Sequence, residues 1–138
     1  MQRQESFDVP TRGRGTINIT ARVAAVIARS GVTTGLCHIF VAHTSASLIL
    51  NENADPDVRV DLEAFMSRLV PDGDSIYRHT LEGPDDMAAH VRTTLTDSAL
   101  TIPVSAEQPG LGTWQGVFLW EHRHQGSHRR VTVTVQGE

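Results

Sequence analysis

Apolar and polar residues alternate along Thr16-Ile17-Asn18-Ile19, which predicts a short strand. Thr20 then stands where a helix cap belongs. Ala21, Ala24, Ala25 and Ala28 follow at helical spacing, Val23 and Ile27 extend the stripe, and Gly31 ends the helix. The β-branched and aromatic run from Leu36 to Ala42 predicts a largely buried strand, and Ala46 to Leu50 a second one. Asp55-Pro56-Asp57 combines a capping carboxylate, a proline whose missing N–H does no harm in a first turn, and an acid near the positive end of the helix dipole. The helix it opens carries Val58, Leu62, Phe65, Met66 and Leu69 as its stripe and stops at Pro71 and Gly73. Gly83-Pro84-Asp85-Asp86 opens another, with Met87, Val91 and Leu95 facing inward.

Leu100 to Val104 predicts a strand near a sheet edge, because Pro103 has no N–H to give a ladder. The segments Gly116 to Glu121 and Arg130 to Val135, joined through the turn-prone Gln125-Gly126-Ser127-His128, predict a terminal hairpin. The polar start, Met1 to Val9, carries charges and no apolar leader-like run, and no stretch approaches the ~18 apolar residues of a membrane span. No repeat or linker interrupts the 138 residues, so residues 1–138 are expected to form one α+β domain. Its mixed or antiparallel sheet is packed with about three helices.

All twelve basic residues are arginine, which excludes lysine Schiff-base chemistry and a lysine-bearing phosphate loop. The formal charge of -4 disfavours nucleic acid as a partner. Cys37 is the one cysteine, so no internal disulfide forms, and its apolar strand makes it a packing residue. These features predict a cytoplasmic protein with no membrane or nucleic-acid partner.

Candidate chemistry gathers in three polar segments. The first runs from His43-Thr44-Ser45-Ala46-Ser47 to Asn51-Glu52-Asn53-Ala54-Asp55, with its imidazole and its amides at opposite ends of a predicted strand. The second holds His79, Glu82, Asp85, Asp86 and His90. Asp86 and His90 share a helical face at i and i+4, where a carboxylate orients an imidazole, and the helix N-terminus offers free N–H groups to an anion. The plainer reading is that Glu82 and Asp85 only cap the helix. Imidazoles beside carboxylates suit a divalent metal such as zinc or magnesium, with His43, His79 and His90 as ligands, although no compact His-x-x-x-His spacing joins these three.

The third segment pairs Gly112-Thr113-Trp114-Gln115-Gly116 with Trp120-Glu121-His122-Arg123-His124. Trp114 offers a stacking face and Gln115 an amide, and Arg123 offers a fork for phosphate; Trp114 and Trp120 read equally well as core or subunit contacts. His124, His128, Arg129 and Arg130 read as a solvated hairpin tip. Ser45 and Ser47 lack a nucleophile elbow.

Taken together, His43-Thr44-Ser45-Ala46-Ser47-Leu48, Asn51 to Arg59, His79, Glu82 to Met87, His90 and Leu111 to Gly116 resemble the YjbQ family, also called the secondary thiamine-phosphate synthase family. The likeness extends from about Thr16 to Gly137. Departures fall at Ala88, where the family has proline, near Glu107, where it has glycine, and near Pro109, where it has leucine. They alter a helix start and a loop and remove no candidate ligand.

The resemblance implies a homotrimer with a weak ability to join a pyrimidine methyl diphosphate to a thiazole phosphate. It gives His43, His79 and His90 metal or acid/base roles, with Asp86, Glu82 and Asp85 assisting. Asn51, Asn53 and Arg59 are expected at the entrance, and Gln115, Glu121 and Arg123 against substrate or a neighbouring subunit. The alternatives are a metal-dependent hydrolase of a small phosphorylated or heterocyclic compound and a non-catalytic trimeric binding module.

Overall fold

In the computed structural model, which describes residues 1–138, odd-numbered positions of two long strands set the interior. Val131, Val133 and Val135 alternate inward on β8 (His128–Gly137), and Val117 and Leu119 do so on β7 (Gln115–Glu121). These strands line opposite walls of one core. The first wall is a five-stranded antiparallel sheet in the order β1 (Gln2–Pro10), β8, β3 (Thr34–Val41), β5 (Ala99–Ser105), β6 (Gln108–Pro109). The second is a three-stranded antiparallel sheet in the order β2 (Gly15–Asn18), β7, β4 (Ala46–Glu52). Val23, Val26 and Ile27 of α1 (Thr20–Ser30) close the same core.

The small sheet has a second covered face, because Phe118 and Trp120 point away from the first core. There α2 (Pro56–Leu69) and α3 (Asp86–Leu95) pack, with Met66, Val70, Ala88 and Trp120 forming a smaller apolar cluster. The layers are therefore sheet, sheet, helices. No helix is long and apolar enough to cross a membrane.

Several local expectations are corrected. The polar N-terminus forms β1, paired with β8 from Gln2↔Gln136 to Pro10↔His128; only its Phe7 and Val9 carry the apolar signal of an inward face. The terminal hairpin does not exist. β7 pairs with β2 and β4 and β8 with β1 and β3, so residues 122–127 cross from one sheet to the other. Thr20 is the first helical residue and not the cap; its hydroxyl accepts the Val117 N–H at 2.8 Å.

Helix faces also differ from their stripes. The alanines of α1 sit at its flanks, since the branched Val23, Val26 and Ile27 remove more apolar surface from water. Phe65 and Leu69 of α2 remain more than half exposed, as does Leu95 of α3. The inward face of α3 is Asp86, Ala88, Ala89 and Arg92. Arg92 is fully buried and donates to Glu63 Oε2 at 2.7 Å and to Ser67 Oγ at 3.1 Å, both on α2. An ion pair thus ties the helices together beside the apolar packing of Leu62, Met66 and Val91.

Candidate metal centre and its arginine frame

The chemistry lies where β7 ends, β4 begins and α3 starts. Asp86, the first residue of α3, is only 2% exposed. Its Oδ1 accepts Arg123 Nη1 at 2.6 Å, while its Oδ2 faces His79 Nε2 at 2.6 Å and His90 Nε2 at 3.0 Å. Burial by itself would raise the Asp86 carboxyl. The His79 hydrogen bond and the charges of His90 and Arg123 outweigh that and hold it below the ordinary carboxylate range.

His90 supplies the sharpest constraint. Its Nδ1 lies 2.8 Å from the Thr44 carbonyl, which only accepts, so Nδ1 carries the hydrogen. In a neutral ring Nε2 then turns a lone pair toward the Asp86 carboxylate. Two acceptors at 3.0 Å need a proton or a cation between them. Ligand atoms of His79, Asp86 and His90 all lie within 4.8 Å of one another, and both imidazoles are partly open to solvent. Two imidazoles and one carboxylate, with open positions left over, form a donor set that divalent first-row ions accept. The Thr44 carbonyl and Arg123 would orient two of the three ligands from behind.

Arg123 is locked in place. It donates to Asp85 Oδ2 at 3.0 Å, to Asp86 and to the Glu82 carbonyl at 2.9 Å. Burial would raise the Asp85 carboxyl, but Arg123 and the His124 N–H bring it down to about 2. Asp85 therefore does not cap α3 with its side chain; it clamps Arg123 instead.

Glu121 and Arg129 form a second frame. Both point into the space between the sheets, Glu121 from β7 and Arg129 from β8, and both are buried. Arg129 donates Nε and Nη2 to the Glu121 carboxylate, which also accepts from Thr11 Oγ1 at 2.6 Å and from two backbone N–H groups. Burial would raise the Glu121 carboxyl, yet these donors hold it below its usual range.

The expected site residues separate into two groups. His79, Asp86, His90, Asp85 and Arg123 converge as described, whereas exposed Glu82 contributes only its backbone carbonyl, to Arg123. His43 stands outside the triad: its Nε2 accepts the Arg130 N–H at 2.8 Å, and burial together with the Arg129 charge pushes its pKa down. Glu121 is enclosed and its oxygens are engaged, so it frames Arg129 and touches no solvent-open space. Asn51, Asn53, Arg59 and Gln115 lie at the other end of β4 and β7, about 20 Å away at the usual rise per strand residue. There Asn53 Nδ2 donates to the Thr113 and Gln115 carbonyls, Arg59 to the Glu52 carbonyl, and Gln115 Oε1 accepts the Gly112 N–H. In one chain these side chains shape a loop and do not meet the histidines.

Arg129, Arg92 and His122 are the functional or buried polar residues that the sequence reading missed. Arg129 belongs to no solvated tip: it shares the parity of Val131, Val133 and Val135, and that alternation places it inward. His122 likewise follows Phe118 and Trp120.

Two antiparallel sheets and a helix pair holding a histidine–carboxylate cluster define an α+β protein with a divalent-metal type of donor set. The family model described as "UPF0047 protein YjbQ-like" matches residues 5–138, and the chain belongs to that family. It is 53% identical over 137 residues to UPF0047 protein sll1880 of Synechocystis, covering 99% of this chain and 93% of that one. Against UPF0047 protein YjbQ of Escherichia coli O157:H7 it is 42% identical, covering 98% of each. Among solved structures, a hypothetical protein from Aeropyrum pernix K1 superposes with a TM-score of 0.89 at 29% identity over 99% of both chains. An uncharacterised conserved YjbQ/UPF0047 protein from Clostridium acetobutylicum does so with a TM-score of 0.88 at 32% identity, over 96% of this chain and 99% of that one.

Proposed function

We propose that this protein is an enzyme that binds a divalent metal through His79, Asp86 and His90 and acts on a small phosphorylated molecule. The observation behind the reading is the His90 geometry: a ring whose hydrogen is committed to the Thr44 carbonyl directs its other nitrogen at a carboxylate. A bound ion would supply charge stabilisation to phosphate oxygens. Asp86 holds the two imidazoles in register, Arg123 keeps Asp85 and Asp86 ionised and fixed, and the solvent-open side of His79 and His90 receives substrate.

Within this class the family resemblance favours thiamine-phosphate formation. There the thiazole nitrogen forms a bond to the pyrimidine methylene carbon, the carbon–oxygen bond to the diphosphate breaks, and pyrophosphate leaves with the electron pair. The exposed apolar side chains Val60, Phe65 and Leu69 of α2, with Leu81 and Trp114, support a homotrimer that would cover them.

Elemental analysis of the purified protein tests the metal site. The wild type and His43→Ala are expected to hold near one divalent ion per chain, and His79→Ala, Asp86→Asn and His90→Ala to lose it. Retention of metal by all three of the latter variants refutes the site. Incubation with the pyrimidine diphosphate and thiazole phosphate, followed by product chromatography, separates synthase from hydrolase. Metal binding without turnover of either compound refutes the enzymatic reading.

A further inference from the structure

Two hydrogen-bond donors face each other beside the arginine frame with no acceptor between them. His43 Nε2 lies 2.8 Å from the Arg130 backbone N–H, and an amide nitrogen only donates. That ring nitrogen therefore carries the lone pair and Nδ1 carries the hydrogen. Nδ1 sits 3.4 Å from Arg129 Nη1, which always bears hydrogens.

The other donors of Arg129 are satisfied: Nε and Nη2 serve Glu121, and Nη2 also serves the Ser45 hydroxyl at 2.9 Å. Arg129 is 95% buried, since only 5% of it is exposed, yet its Nη1 meets nothing but another donor. Ser45 Oγ accepts from Nη2 and so keeps its own hydrogen free to donate. Ser45 and Arg129, with Arg123, Gln125, Gly126 and Ser127, line a polar cavity of about 260 Å³.

We propose that Arg129 Nη1, His43 Nδ1–H and the Ser45 hydroxyl form an oxyanion subsite that holds the phosphoryl group of a small phosphorylated ligand. Glu121 already matches the Arg129 charge, so the subsite selects through converging donors and not through net positive potential. Thr44, whose carbonyl anchors His90, lies between His43 and Ser45 in the chain, which sets the subsite beside the His79–Asp86–His90 cluster. The inference deepens the metal-dependent reading by naming where the phosphate would rest. It leans on that reading for the ligand's chemistry but not for the binding event.

The test is a titration of the full-length protein with inorganic phosphate, read by histidine-ring nitrogen and proton NMR, with acetate at equal ionic strength as the second arm. His43 is expected to show the Nδ1–H tautomer in the free protein and to shift saturably with phosphate. His43→Phe, which removes one donor, leaves the Arg129–Glu121 pair intact and turns the Arg130 N–H of an exposed residue over to water, should weaken phosphate binding at least about tenfold while retaining metal and a cooperative urea transition. His79→Ala should lose metal and keep the His43 response to phosphate, which distinguishes a failed metal site from a failed subsite. An Nε2–H tautomer at His43, no saturable shift, or an equal response to acetate would each overturn the proposal.

Discussion

His122 makes stability depend on pH in a calculable way. The ring is wholly buried, with Nε2 2.7 Å from Ser47 Oγ, its centroid 5.2 Å from that of Trp120, and Nδ1 without a partner. Burial first, and then the charges of Arg92, Arg14 and Arg129, depress its pKa from 6.5 to about 3. A depressed histidine is neutral in the folded chain while its unfolded counterpart takes up a proton below 6.5. Its contribution is therefore complete above that value and is lost as pH falls toward the folded value.

Each pH unit below the unfolded pKa removes about 1.4 kcal/mol, so moving from about pH 8 to about pH 5 costs about 2 kcal/mol through this residue. His43, also depressed, acts in the same direction in wild type and variant alike and cancels in a comparison. Urea unfolding of wild type and His122→Gln at both pH values reads the difference. The variant, whatever its absolute stability, should lose about 2 kcal/mol less over that interval than the wild type. Equal losses in the two proteins would show that His122 does not stay neutral in the fold and would refute the reasoning.

Glu63→Ala strips the carboxylate from fully buried Arg92 and should destabilise the protein by about 3 kcal/mol, the low end for orphaning a buried charge because Ser67 still accepts from it; urea midpoints check this. Gly35→Ala would set a Cβ 2.1 Å from the Gln136 carbonyl oxygen across the β3–β8 ladder. A loss of about 1–3 kcal/mol is expected by thermal denaturation, and an unchanged midpoint would contradict the close approach. Cys37 is enclosed in the main core and burial pushes its thiol up to about 11, so a thiol reagent should label it only after urea is added.

Period, capping chemistry and composition were enough to locate most elements of this protein. Asp55 does accept the Asp57 N–H at 2.9 Å, Gly31 does take the left-handed conformation that ends α1, and Cys37 is core. These are local properties, set by backbone sterics and by the spacing of a few neighbouring side chains. The i and i+4 relation of Asp86 and His90 was legible for the same reason, since one helical turn brings them together.

Tertiary structure decided what distance along the chain conceals. β7 and β8 are neighbours in sequence yet enter different sheets, because each buries an alternating apolar face on opposite walls of one core. That separation brings Glu121 and Arg129 together between the sheets and carries Arg123 onto Asp85 and Asp86. It also leaves Asn51, Asn53 and Gln115 at the far end of the small sheet and His43 beside Arg129, outside the His79–Asp86–His90 triad. Local pattern along the chain singled out His79, Asp85, Asp86, His90 and Arg123 but not Arg92, Arg129 or His122, whose burial depends on the packed sheets and helices. Which of them meet followed from sheet pairing, a long-range choice made by burying apolar surface on both walls of the core, and no local pattern encodes it.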